Sequence, residues 1–82
     1  MEKRIGTVTH YYTHLGVAVL DLSDEIHVGD DIHISGRITD LEMRVASLEV
    51  NHRKVESGSP GSEVALKVDD YVRQGDEVYK VE

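Results

Sequence analysis

Apolar and polar residues alternate in short runs along most of the chain, and no window sustains the spacing of an amphipathic helix. Arg4 to His10 and Gly16 to Leu22 read as two strands joined by the polar, aromatic connection Tyr11-Tyr12-Thr13-His14, with Ala18, Leu20 and Leu22 on one face of the second. Asp31 to Ser35 reads as a third, with Ile32 and Ile34 inward, His33 outward, and Gly36-Arg37 ending it. Leu41, Met43 and Val45 then alternate, the phase slips near Ala46-Ser47, and Leu48 and Val50 resume it. One extra residue moves every later side chain to the other face, so the slip predicts one long, bent strand. Val64, Leu66 and Val68 make a fifth strand, and Val78 to Val81 a sixth.

Two phrases punctuate this pattern, "VGDDIHI" at 28–34 and "QGDEVYKV" at 74–81. In each, a glycine suited to positive φ precedes an aspartate able to bond nearby backbone amides, so each reads as a turn that launches a strand. Short strands with Gly-rich turns in a small chain predict an all-β, six-stranded, closed or nearly closed antiparallel barrel, because closure removes exposed edges.

Composition sharpens the picture. Eighty-two residues, 1–82, are read as a single domain, and Val, Ile and Leu dominate an apolar fraction that contains no Phe or Trp. Without cysteine there is neither a disulfide nor a thiolate zinc site. No apolar leader or membrane-length run occurs, which makes a cytoplasmic protein without membrane contact the expectation. A formal charge of −7 repels a phosphate backbone and argues against non-specific DNA binding.

Against that acidic background, Asn51, His52, Arg53 and Lys54 form the densest polar-basic cluster, just before the Gly58-Ser59-Pro60-Gly61 turn. Arg and Lys on a strand end can donate to a phosphate or to an acidic partner, or they can simply guard an edge against aggregation. His10 and His14 bridge a strand and a loop and have no evident third ligand, so a surface pair, not a metal site, is expected. Tyr11 and Tyr12 suit either stacking on a partner or packing at a barrel end. Asp24-Glu25, Asp30-Asp31 and Asp69-Asp70 read as solvated turns. No motif organises the Ser, His and Asp residues into a catalytic triad, so no enzyme is predicted.

Three stretches, "IGTVTHYYTHLGVAVLDLSDEIHVGDDIHISG", "SLEVNHRKVESGSPGSEVALKV" and "VRQGDEVYKV", together resemble domain II of the translational GTPases in order and spacing. That domain is the barrel following the GTP-binding domain in elongation factor Tu and its archaeal and eukaryotic counterpart. The resemblance covers nearly the whole chain and implies a Greek-key β-barrel of the translation-protein type acting as a non-catalytic binding module. A G-x-x-x-x-G-K-[ST] phosphate loop is absent, so GTP is not expected to bind. In that family the segment matching 47–68 lines the docking place of the terminal adenosine and aminoacyl ester of a charged tRNA. Glu49 falls on the glutamate lying against that adenosine, Gly61 on a loop glycine, and His52 on a position held by Arg or His. Asn51 stands in place of a histidine, Glu63 in place of an asparagine and Lys67 in place of a leucine.

The candidate binding set is therefore Glu49, Asn51, His52, Arg53, Lys54, Gly61 and Glu63, with no cofactor and no metal. The expected ligand is a protein or a structured RNA, ribosomal or tRNA-like RNA included, taken up by a monomer. Similar barrels also extend the C-terminus of U32-type peptidases, which implies the alternative of a docking barrel acting in trans for an enzyme such as a peptidase or an RNA-modifying protein.

Overall fold

Ten strands follow one another in a computed structural model that describes residues 1–82. They are β1 (Glu2–Tyr12), β2 (Val17–Leu22), β3 (Ile26–His27), β4 (Asp31–Ser35), β5 (Asp40–Arg44), β6 (Leu48–Val50), β7 (Arg53–Val55), β8 (Ser57–Gly58), β9 (Glu63–Lys67) and β10 (Glu77–Val81). Every pairing is antiparallel. The protein is thus all-β, but the ladder is neither six-stranded nor closed. An eight-stranded sheet runs β5-β4-β10-β1-β2-β9-β6-β7, and β3 pairs with β8 in a small second sheet.

The strand expected to bend near Ala46-Ser47 is in fact two strands, β5 and β6, lying towards opposite ends of that sheet. Four Cα steps from Arg44 to Leu48 span at most about 14 Å, so the sheet must curl until its ends approach each other. The curl encloses the core without closing the hydrogen-bonded ladder. Sixteen buried residues form one cluster, with Ile5, Val8, Leu20, Ile32, Ile34, Leu48, Val64, Leu66 and Val78 almost fully inaccessible. At about 1.5–3 kcal/mol for each fully buried aliphatic side chain, this cluster is the main source of stability.

β1 departs from strict alternation, since Ile5 and Val8 both reach the core although they are three positions apart. A bulge explains it: Arg4 pairs with Tyr79 and Gly6 with Val78, which leaves Ile5 as the extra residue. A second bulge at Thr9 lies between Val8↔Leu20 and His10↔Val19.

The two Gly-Asp turns share one geometry. Gly29 and Gly75 take φ of 97° and 94°, and the amides of His27 and Arg73 donate to the carboxylates of Asp30 and Asp76 at 2.8 Å. Each turn then grips one buried valine. Gly29 N donates to Val45 O and Val45 N to Asp30 O, while Gly75 N donates to Val8 O and Val8 N to Asp76 O, all at 2.8 Å. Val45 precedes the crossing to β6, and Val8 precedes the bulge at Thr9. The repeated phrase therefore pins the chain at the two places where regular pairing breaks.

Candidate binding groove

β6 and β7 form a tight hairpin, with Leu48↔Val55, Glu49↔Lys54 and Val50↔Arg53 in register. Its two-residue turn is Asn51-His52, with φ of 53° and 63°. Positive φ at both central residues is the signature of a type I′ connection, whose twist matches that of paired strands. Asn is well suited to that conformation and His tolerates it better than most side chains. The basic cluster read from sequence as a strand end thus sits at a projecting hairpin tip.

Alternation fixes which side chains share a face. Leu48 and its neighbour Leu66 point into the core, so Glu49, Lys54 and Ala65 point outward. Register then aligns Val19, Ala65, Glu49 and Lys54 in one row across β2, β9, β6 and β7. The small Ala65 leaves a depression between larger neighbours, and the Asn51-His52 tip and the loop after β1 raise its ends. The result is a groove of about 960 Å³ on the outer face of the sheet, floored by Val17, Val19 and Ala65.

Charges of both signs surround that floor: Glu49, Glu63, Lys54 and Lys67 all line it. None of them enters any of the eight ion pairs of the structure. Lys67 instead donates from Nζ to Leu15 O at 2.8 Å, tying β9 to the loop after β1. That loop brings Leu15, 61% exposed, beside Tyr12, 48% exposed, on one wall. Apolar side chains left this open next to unpaired charges suit contact with another polypeptide.

The groove gathers Glu49, Asn51, His52, Lys54 and Glu63 from the sequence-derived set. Two members lie apart. Arg53 pairs with Val50, on the strand face opposite to Lys54, and Gly61 sits in the exposed turn before β9 with φ of 91°. Tyr12, Leu15, Val17, Val19, Ser47 and Ala65 complete the lining, half of them from β2 and the loop before it. Local sequence carries no sign of Leu15, Val17 and Val19, because their placement beside Ala65 depends on β2 pairing with β9.

The two neighbouring tyrosines differ in placement. Tyr11 packs against the core cluster and meets Tyr71 edge-on at 5.9 Å, and burial is the first cause of its raised pKa. Tyr12 faces the groove and stacks edge-on with His10 at 4.3 Å. The three ligand-type side chains that do lie close together are Glu2, His33 and Glu42, on the far half of the sheet. His33 lies between two carboxylates, 2.9 Å from Glu2 and 2.6 Å from Asp40, and hydrogen bonding to Glu2 and then to Asp40 raises its pKa.

No protein-family model matches the chain. In sequence it is similar to an uncharacterized protease of Methanocaldococcus jannaschii, 38% identical over 76 residues that cover 92% of this chain and 19% of the protease. The chain spans about a fifth of the length of the curated relatives it matches. In structure it is similar to the C-terminal domain of the Geobacillus thermoleovorans putative U32 peptidase, with a TM-score of 0.88, 17% identity, and coverage of 95% of this chain and 91% of that one. A bacterial selenocysteine-specific elongation factor gives a TM-score of 0.73 at 19% identity, covering 94% of this chain and 14% of that one. The likeness to translation factors is one of fold, and the peptidase-associated domain superposes better.

Proposed function

We propose that the chain is a non-catalytic accessory domain that accompanies a U32-type peptidase and docks a polypeptide, the peptidase's catalytic region foremost, in the groove on the outer face of β2, β9, β6 and β7. One observation carries this reading: similarity to a protease covers nearly all of this chain and only a fifth of that protease, and a U32 C-terminal domain matches it nearly end to end. Similarity confined to that part of the protease supports a domain that accompanies the catalytic machinery. The groove supplies what such an appendage needs, an apolar floor ringed by unpaired charges of both signs.

RNA binding draws no support from that surface. Glu49 and Glu63 stand beside Lys54 and Lys67 in the groove of a chain with net charge −7, which gives a phosphate backbone no continuous cationic track.

Calorimetry with the chain and the separately produced catalytic region of a U32-type peptidase from the same cell tests the reading. The expected result is a one-to-one complex weakened at least tenfold by Leu15→Asp or Lys54→Glu. Absence of a complex, or a complex indifferent to both changes, would overturn it. Stable recovery of RNA by the chain would favour the translation-type reading in its place.

A further inference from the structure

On the half of the sheet away from the groove, three strands bring together side chains that the proposed docking does not use. His33 on β4 and Glu42 on β5 are direct partners in the antiparallel ladder. Glu2 reaches them from β1, and one ligand atom from each of Glu2, His33 and Glu42 lies within 4.8 Å of the others. We infer that Glu2, His33 and Glu42 form a binding site for one divalent cation of the Zn²⁺ class, with Asp40 as the residue that positions the imidazole.

Nδ1 of His33 stands 2.9 Å from Oε2 of Glu2. Two ligands at about 2.0–2.1 Å in a tetrahedral zinc site are separated by roughly 3.3 Å, so this edge of the polyhedron is nearly formed already. Nε2, the other ring nitrogen, faces Oδ1 of Asp40 at 2.6 Å. A carboxylate on the far nitrogen is the usual support of a metal-bound histidine, because it fixes both tautomer and ring direction. Glu42 supplies the third donor as a carboxylate oxygen, and the open surface leaves a fourth position for water or for a ligand group.

The donor set selects among metals. One imidazole with two carboxylates suits zinc and its first-row neighbours, whereas Mg²⁺ and Ca²⁺ favour oxygen donors alone. Strand register also makes the site rigid, since β4 is paired on both sides, with β5 and β10. A second histidine lies among acids, His27 with Glu25 and Asp30 at 3.3 and 3.7 Å, and it serves as the internal comparison.

The test is titration of the chain with Zn²⁺ alone and with Mg²⁺ alone, by calorimetry and by amide chemical-shift mapping. Saturable one-to-one zinc binding is expected, with shifts centred on Glu2, His33 and Glu42, loss in His33→Gln and Glu42→Gln, and retention in His27→Gln. Asp40→Asn should weaken zinc about tenfold, at the mild end of the effect of losing an outer carboxylate, and Asp40→Glu should restore it. No saturable binding, binding kept in His33→Gln, shifts centred on another histidine, or magnesium binding as tightly as zinc would each overturn the assignment. The wild-type shift map decides the matter even where a variant fails to fold.

Discussion

Gly36 and Asp76 are in contact so close that a methyl group on Gly36 would lie 1.9 Å from Oδ1 of Asp76. Asp76 is buried and cannot swing away freely, because its other oxygen accepts from Arg73 N in the turn that grips Val8. Gly36→Ala must therefore push on the β10 turn and, through it, on the core. A loss of about 1–3 kcal/mol is expected, as for overpacked interiors, and chemical denaturation measures it. If Gly36→Ala were neutral, the 73–76 turn would have to be more yielding than its hydrogen bonds imply.

The hairpin tip makes the opposite prediction. His52 holds φ of 63°, a left-handed conformation that costs a side chain about 1–2 kcal/mol. Glycine removes that cost and gives back about 0.5–1 kcal/mol in flexibility of the unfolded chain. His52→Gly should thus stabilise the fold by about 0.5 kcal/mol, seen as a small rise in the denaturation midpoint with an unchanged slope. Destabilisation would mean that the imidazole makes contacts in the groove that outweigh its strain.

What the sequence revealed follows from what is local. Ile32, Ile34, Leu20, Leu22, Val64 and Leu66 declare their strands by alternation, and all are buried. The Gly-Asp phrases declare their turns because positive φ and a short acceptor are properties of single residues. β3 and β8, two residues each, are too short to show a period, and the Asn51-His52 tip lacks the glycine that usually marks such a turn. The open ladder was hidden for a different reason, since the separation of β5 from β6 arises where Asp30 and Gly29 grip Val45 from fifteen and sixteen residues away. His33 was legible as outward-facing, but its carboxylate neighbours come from β1 and from beyond the 36–39 loop, and only register unites them.

Arg4 and Glu77 tie β1 to β10, with Arg4 Nε 2.5 Å from Glu77 Oε2 and Thr7 Oγ1 donating to the same oxygen at 3.0 Å. The Arg4 hydrogen bond is the first cause that lowers the pKa of Glu77. A carboxylate whose folded pKa is depressed stabilises the protein above its ordinary value near 4.5, and that contribution disappears as pH falls through the folded value. Both partners are more than a third exposed, so the pair is worth no more than about 0.2–1 kcal/mol. Glu77→Gln should lose that amount at neutral pH and show a shallower decline in stability below about pH 4.5. An unchanged acid limb would remove Glu77 as a contributor.

Ala65 separates the docking reading from general effects on the fold. It lies at the centre of the row Val19, Ala65, Glu49 and Lys54, with its methyl outward on the groove floor. Enlarging it fills the depression from outside without entering the core, where Val64 and Leu66 on either side are fully buried. Ala65→Leu should leave thermal stability within the ±0.5 kcal/mol typical of surface changes, because leucine suits a pleated outer face no worse than alanine. Binding of the peptidase catalytic region should fall at least tenfold, by steric exclusion from a groove whose charges are untouched. Equal binding with equal stability would show that the partner contacts only the rim formed by Tyr12, Leu15 and the Asn51-His52 tip, and that the apolar floor has no part in recognition.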